Sequence, residues 1–516
     1  MNKNYTKTKI VILGGGTAGW ITALYIRKLY PSLEISVIED PKRPPIIAGE
    51  SGTITFVKFL SNLKIDNIDF IKKTNATPKM GGRFKNWNGV GTEFIHSLQT
   101  DLNPHRYGFL QNTPVSPLGS LIFNFLKENE SDLYVSTILA NEIPLSKAFF
   151  AYNFIEENKV PFGSSCEELI SPMWHFESRA AAAYFKDVAL SRNIELIEGE
   201  YKHASQKENG DITSLALEDG RIINGDWFFD CSGFSRLLLG KVLKEPLVDY
   251  TNYFPARAVV AWWDKAEPSV TTNANAMEYG WSWNINLRHR SGNGYIYDPD
   301  HITLDRAVQE AEKFYGYKID PIANFSFTPG IVKHSWKNNV IGIGLSSGFL
   351  EPLEANGIQV IIDSLWAVED LWRPNILDDL KERQTFFNQR VLKNTDDIRD
   401  FLSLHYRGKR RDTDFWKSHA YDKFRIPDSL NDKLSDWGKY HNGFRNAMVL
   451  CNGYSPTAWL MVLQALEIFS NDSLKSSRAQ FLEDGKNSLN NSYKKRKKYV
   501  ESFWTIEQWL KSSINN

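Results

Sequence analysis

Apolar residues along this chain fall into three patterns, and each predicts a different kind of element. The first is a short unbroken run, Lys9-Ile10-Val11-Ile12-Leu13, as expected of a parallel strand buried on both faces. Behind it come Gly14-Gly15-Gly16-Thr17-Ala18-Gly19, a helical stretch from about Trp20 to Tyr30, and a second apolar strand, Ile35-Ser36-Val37-Ile38, that ends at Glu39. The second pattern is alternation. In Gly280-Trp281-Ser282-Trp283-Asn284-Ile285-Asn286 the large residues Trp281, Trp283 and Ile285 would project from one face of a strand. The third is helical spacing, with Ile362, Leu365, Trp366, Val368 and Leu371 mostly three or four apart, and this periodicity continues toward the C-terminus. Trp174-His175-Phe176-Glu177 is read as opening a further helix that packs on the N-terminal unit.

The N-terminal pattern of strand, glycine turn, helix, strand and acid predicts dinucleotide binding. Gly14 and Gly16 permit the tight turn and a close pyrophosphate approach, and Gly19 lets the helix pack closely. The helix N-terminus faces the phosphates. Glu39 stands where a carboxylate accepts from an adenosine ribose hydroxyl. Enzymes that bind FAD and NAD(P)H in separate Rossmann units carry two such motifs. This chain carries one, which argues against a nicotinamide domain. Phe229-Asp230-Cys231-Ser232-Gly233-Phe234 closes another apolar stretch, where a chain of this kind returns to its dinucleotide.

Composition narrows the class. The chain has 516 residues, enough for two or more domains, and its 42% hydrophobic content supplies a sizeable core. Sixty-one basic residues balance sixty-one acidic ones, so no global field draws it to nucleic acid or anionic lipid. The run Lys494-Lys495-Arg496-Lys497-Lys498 is read as a solvated helix face. Cys166, Cys231 and Cys451 have neither metal-site nor disulfide-framework spacing. No apolar run approaches the roughly 20 residues that span a bilayer, and Met1 to Tyr5 lead almost directly into a strand without a signal peptide. The expectation is a soluble cytoplasmic protein. Sixteen tryptophans and thirty-one phenylalanines can furnish both a core and a pocket for a planar substrate.

Five further segments carry candidate chemistry. They are Gly49-Glu50-Ser51-Gly52-Thr53, Ala76-Thr77-Pro78-Lys79 with Phe84, Asn86 and Trp87 beyond it, and Phe94-Ile95-His96-Ser97-Leu98. The alternating Trp281/Trp283 segment is the fourth. The fifth is Gly344-Leu345-Ser346-Ser347-Gly348-Phe349-Leu350, running into Glu351-Pro352-Leu353-Glu354-Ala355-Asn356-Gly357. Singly, each has a bland explanation. Lys79 would be a surface lysine, Glu354 a solvated charge, the tryptophans core, and His96 a satisfied structural histidine. In their order and spacing, together with the dinucleotide motif, they resemble the flavin-dependent halogenases of the tryptophan-halogenase type.

That resemblance implies a mixed α/β fold. A Rossmann-like FAD-binding unit would be interleaved with a substrate-side β-sheet over residues 1–365, the sheet drawing on about 60–130 and 250–330. A mainly helical region, 366–516, would cap the substrate pocket. FAD, supplied as FADH2 by a separate NAD(P)H-dependent flavin reductase, would contact Gly14, Gly16, Thr17, Ala18, Gly19, Glu39, Glu50, Ser51 and Leu345. With O2 it would oxidise a halide held by backbone N–H groups near Asn356 and Gly357. The resulting hypohalous acid would pass Trp281 and Trp283 to Lys79, which delivers it to a small aromatic substrate shaped by His96. Glu354 would orient the oxidant or take the arene proton. No metal, nucleic acid or membrane is implied, and oligomeric state, a homo-oligomer included, is left open.

The chain departs from the family pattern at four places. Ser51 replaces an Ala, Asn286 a Pro, Leu98 an aromatic residue, and Ala355-Asn356 a Ser-Thr pair. Backbone anion donors survive a change of side chain, but Asn356 alters the wall of the halide site, so bromide or iodide is expected to be preferred. The rival readings are a flavin monooxygenase that hydroxylates an aromatic and a flavin-binding protein without catalysis. The joint presence of Lys79 and Glu354 argues against the first, and against phenol-halogenating relatives; the second is suggested by Ala355, Asn356 and Asn286 and stays open.

Overall fold

The apolar run Lys9–Leu13 becomes an inner strand because every residue from Ile10 to Leu13 is buried. In the computed structural model it pairs in parallel with Glu34–Glu39 on one side and Trp227–Asp230 on the other. Glu195–Glu198 and Val340–Gly342 extend this parallel sheet, and Trp336–Lys337 closes one edge antiparallel, giving six strands. The structure describes residues 8–43, 49–98, 144–162, 172–422, 425–439, 454–468, 490–491 and 493–512. Cys166 and Cys451 lie outside them.

The described chain divides into two units, each assembled from three stretches of sequence. The first comprises residues 1–76, 176–251 and 326–396 and contains the six-stranded sheet. Helix Thr17–Leu29 packs on Ser178–Ser191 and on Asn356–Leu371. It begins three residues before the expected Trp20, because Thr17, Ala18 and Gly19 already wind into its first turn. Helix Asn356–Leu371 runs through residue 365, where the sequence reading placed a boundary.

The second unit comprises residues 77–175, 252–325 and 397–516. Its core is a seven-stranded sheet in the order Pro321–Ser326, Ala258–Asp264, Ser291–Tyr297, Gly280–Asn286, Thr271–Met277, Gly81–Lys85, Glu93–Ser97. From Ala258–Asp264 to Glu93–Ser97 the pairing is antiparallel except where Thr271–Met277 runs parallel to Gly81–Lys85. Helix Leu304–Tyr315 covers one face, its Ala307 and Ala311 packed with Val260, Trp262 and Tyr295. The segment after helix Leu380–His405 is pinned to this sheet by polar anchors. The Arg410 guanidinium donates to the Ala276 carbonyl (2.7 Å) and the Trp416 indole N–H to the Met277 carbonyl (2.8 Å).

Two expectations need correction. Trp174-His175-Phe176-Glu177 does not open a helix: Met173–Glu177 is a strand, and the helix starts at Ser178. Trp174, His175 and Phe176 are all buried, which suits a strand enclosed on both faces. The basic run near the C-terminus is not wholly solvated either. Arg496 is buried with its Nε on Asn153 Oδ1 (3.1 Å), and burial lowers its pKa to about 10. Among the described residues no helix is long and apolar enough to cross a membrane.

Candidate active site

The first unit gathers the predicted dinucleotide residues at the carboxyl ends of its parallel strands, the usual ligand position in such sheets. Gly14 (φ +121°) leaves strand Lys9–Leu13, and its N–H donates to the Ile38 carbonyl (2.9 Å). A Cβ there would sit 2.2 Å from the Cys231 carbonyl oxygen, and one at Gly19 1.8 Å from the Gly14 oxygen. Both glycines are therefore demanded by protein packing. Gly16 differs: a Cβ built on it meets nothing within 4 Å. It caps helix Thr17–Leu29, whose N-terminus has no side-chain cap. An open cradle, uncapped N–H groups and a carboxylate at Glu39 fit a dinucleotide pyrophosphate and ribose. Glu39 is paired with Lys186 at 2.9 Å.

Two more turns close around this point. Asp230, fully buried at the end of Trp227–Asp230, accepts from the Ser232 N–H and hydroxyl and from the Leu238 and Leu239 N–H groups. Burial raises its pKa, and those four bonds oppose the rise. Leu345 lies in the short 3₁₀ turn Gly344–Ser346. A Cβ on Gly344 would lie 3.2 Å from Ala18 Cβ and 3.3 Å from Ile361 Cγ1. The dinucleotide turn, the Leu345 turn and helix Asn356–Leu371 are thus packed on one another. Glu50 and Ser51 belong to the strand Gly49–Ser51; Ser51 is buried, and the Glu50 side chain lies outside the described residues. Thr53, two residues on, donates to Gln359 Oε1 (2.8 Å) on that same helix.

The turn leading into this helix has an unusual backbone. Glu354 (φ 61°, ψ 15°) and Ala355 (φ 58°, ψ 38°) are consecutive left-handed residues, and neither is Gly or Asn. Each such residue costs on the order of 1 kcal/mol, and such costs cluster at functional turns. Asn356 holds the turn together. Its buried amide donates to the carbonyls of Glu351 (2.9 Å) and Leu353 (2.8 Å). That side chain is spent on the loop, so any anion here would be held by main-chain N–H groups. The helix that begins at Asn356 has no side-chain cap, and a Cβ on Gly357 would meet nothing within 4 Å. An uncapped first turn with open space beside it is a competent anion cradle.

Lys79 belongs to the second unit, on strand Thr77–Lys79, which pairs antiparallel with Met173–Glu177. It is only 6% exposed. The neighbouring Met80 and the strand Gly81–Lys85 carry the chain on into the large sheet, ending at Asn86 (φ 65°) and the buried Trp87. Trp87 donates its indole N–H to the Ala274 carbonyl (3.0 Å). The Lys-to-Asn-Trp spacing is therefore the length of one strand plus its turn.

Trp281, Trp283 and Ile285 do share one strand, and all three are buried. Trp283 lies across Gly294 on the neighbouring strand, where a Cβ would come within 2.1 Å of its ring. Trp281 adjoins Trp283 (ring centroids 6.0 Å) and Trp87 (6.3 Å), forming a continuous aromatic wall. His96, opposite Gly82, sits edge-on to Phe401 at 6.2 Å. Phe401 stacks on Tyr454 at 4.0 Å and meets Trp459 at 5.1 Å. Phe401 beside His96, and the Tyr454 and Trp459 that pack on Phe401, were not found from sequence. Phe401 lies on helix Leu380–His405, Trp459 on helix Pro456–Ala465 and Tyr454 just before it, and their spacing looks like ordinary core. Among the described residues no group of three or more His, Cys, Asp or Glu is placed to hold a metal.

A sequence model of the tryptophan halogenase family matches residues 9–480. The tryptophan 6-halogenase ThaL of Streptomyces albogriseolus is 31% identical over 84% of this chain and 82% of its own length. Two solved structures share the fold along nearly their whole length. A tryptophan C-6 flavin-dependent halogenase (chlorinase) from taromycin biosynthesis superposes with a TM-score of 0.84 at 25% identity, covering 99% of this chain and 100% of its own. BrvH, a flavin-dependent halogenase from Brevundimonas sp. BAL3, gives 0.79 at 25% identity, covering 98% and 99%.

Proposed function

The chain belongs to the tryptophan halogenase family of flavin-dependent enzymes, and on that premise we propose that it halogenates an electron-rich, indole-bearing aromatic through Lys79. The observation that carries this reading is the burial of Lys79. Lysines are rarely buried, and this one is 6% exposed at the motif position for halogen delivery.

When reduced FAD is bound, the chemistry it supplies is oxidation of halide by O2 to hypohalous acid. The chain's residues do the rest. Uncapped N–H groups at Asn356 and Gly357 hold the halide. The Trp281–Trp283 wall keeps organic substrate from the cofactor side. Lys79 Nζ holds the hypohalous acid, and Glu354 orients it or takes the proton displaced from the ring carbon. His96, with Phe401, Tyr454 and Trp459, supplies faces for a planar substrate. Reduced flavin comes from a separate NAD(P)H-dependent reductase. Bromide or iodide is favoured over chloride, because a cradle of main-chain donors lacks a charged side chain and larger halides are easier to oxidise. That the curated relative and one of the solved neighbours above are tryptophan 6-halogenases supports the indole class.

The test is mass spectrometry of products from purified protein with FAD, a generic flavin reductase and NADH. Chloride, bromide and iodide are supplied separately against tryptophan, simple indoles and phenols. A mass gain of one halogen on an indole, largest with bromide or iodide, is expected. A gain of oxygen would replace the reading with hydroxylation, and NADH consumption without a modified arene would contradict it.

A further inference from the structure

Helix Ile54–Asn62 begins without the side-chain cap that its sequence provides for. Thr53 occupies the N-cap position, where a threonine hydroxyl ordinarily accepts from a main-chain N–H two or three residues on. Here it makes no such bond. The hydroxyl instead donates to Gln359 Oε1 at 2.8 Å, on helix Asn356–Leu371. A bond that would steady one helix is replaced by one that ties two elements together.

The other end of the Gln359 amide is held as well. Its Nε2 donates to Asp363 Oδ1 at 2.8 Å, one turn further along the same helix face. An ionised carboxylate only accepts, so it engages the NH2 end of the amide and leaves Oε1 aimed at Thr53. Burial pushes the Asp363 pKa up to about 6, while the Gln359 bond and the Arg390 charge pull it down. The carboxylate is therefore ionised at neutral pH, where its bond to Gln359 fixes the direction of the amide.

These bonds join two parts of the proposed site. Thr53 lies two residues beyond the strand Gly49–Ser51, the stretch expected against the flavin. Gln359 is the fourth residue of the helix whose uncapped first turn forms the anion cradle at Asn356 and Gly357. We propose that Thr53 and Gln359 are positioning residues that couple cofactor binding to halide binding, with Asp363 directing the amide between them. Ordering of the Gly49–Thr53 segment by FAD holds the cradle in its binding form, and bound halide tightens FAD by the same factor. This deepens the reading of that first turn as the halide site and rests on it.

The experiment is a fluorescence titration of the purified protein with oxidised FAD, in acetate and in bromide at equal ionic strength. In the wild type, bromide should lower the Kd for FAD about fivefold. Thr53→Val removes the hydroxyl at nearly constant shape, and Gln359→Leu removes both ends of the amide. In each, the ratio of the two Kd values should fall to about one. Thr53→Ser keeps the donor and should keep the ratio. The double variant should change it no further than either single one, as expected for two ends of one bond. Melting temperatures measured alongside separate packing from coupling, since a packing role alone would lower them and leave the ratio intact. A ratio of one in the wild type, or a ratio kept in both Thr53→Val and Gln359→Leu, would overturn the proposal. The product assay decides the underlying reading separately. Brominated indole from a wild type with a ratio of one removes the coupling alone, whereas no halogenated product with any halide removes the halide reading itself.

Discussion

Two glycines one residue apart on either side of Gly15 do different work, and that difference is testable. Gly14 is held by protein atoms, since a Cβ would meet the Cys231 carbonyl at 2.2 Å and φ is +121°. Gly16 faces open space. Gly16→Val should therefore leave the melting temperature nearly unchanged and weaken FAD binding at least tenfold in a flavin-fluorescence titration. Gly14→Ala should lower the melting temperature, by about 1 °C for each kcal/mol lost in a chain of this length, the clash with the Cys231 carbonyl adding to the roughly 1 kcal/mol cost of a residue at positive φ. A reversal of these two outcomes would mean the cradle lies elsewhere. Residues of the glycine turn were legible in the sequence because their chemistry follows from local spacing. Phe401 and Tyr454 were not, because only the packing of distant segments brings them together.

Helix Asn356–Leu371 is the element on which the anion site stands or falls. Its entry turn depends on one amide, the Asn356 side chain, which satisfies two main-chain carbonyls. Asn356→Ala should cost about 1–3 kcal/mol in urea unfolding, because those buried acceptors lose their donor. Asn356→Asp should cost more, since a carboxylate oxygen would face two carbonyl oxygens. In both, the KM for halide should rise while FAD affinity is kept. A KM unchanged in a destabilised Asn356→Ala would remove the turn from halide binding. The helical periodicity from Ile362 to Leu371 was enough to find this helix but not its start. The two left-handed residues before Asn356 have no signature in hydrophobic pattern. The strand Met173–Glu177 was misread for a related reason: its buried residues abut a strongly helical run, Ser178–Ser191, and the period changes without a breaker.

For the whole molecule, buried titratable groups set how stability responds to pH. His175 and His419 are fully buried, and burial is the main cause holding both well below the ordinary 6.5. The unfolded chain takes up their protons first, so stability falls as pH drops below about 6.5, by up to about 1.4 kcal/mol per pH unit for each. Asp363 acts in the opposite sense. Burial raises its pKa to about 6 from 3.8, so its contribution is complete below 3.8 and is lost as pH rises through 6. Asp230 and Glu310, also raised by burial, act with Asp363, so the histidine contribution is read by difference: from pH 7 to pH 5 the melting temperature of the wild type should fall more, or rise less, than that of His419→Asn. Parallel profiles for the two proteins would contradict the assignment. The mixed α/β class and an interleaved architecture could be read from motif order. The division into two units of three stretches each could not, because it depends on which distant segments share a core. The central claim concerns one side chain, and a single comparison tests it: halogenated product and NADH consumption measured together for wild type and Lys79→Ala, with bromide and an indole. The account predicts that Lys79→Ala binds FAD and consumes NADH at the wild-type rate while brominated product disappears. Brominated product at a comparable yield from Lys79→Ala would contradict it.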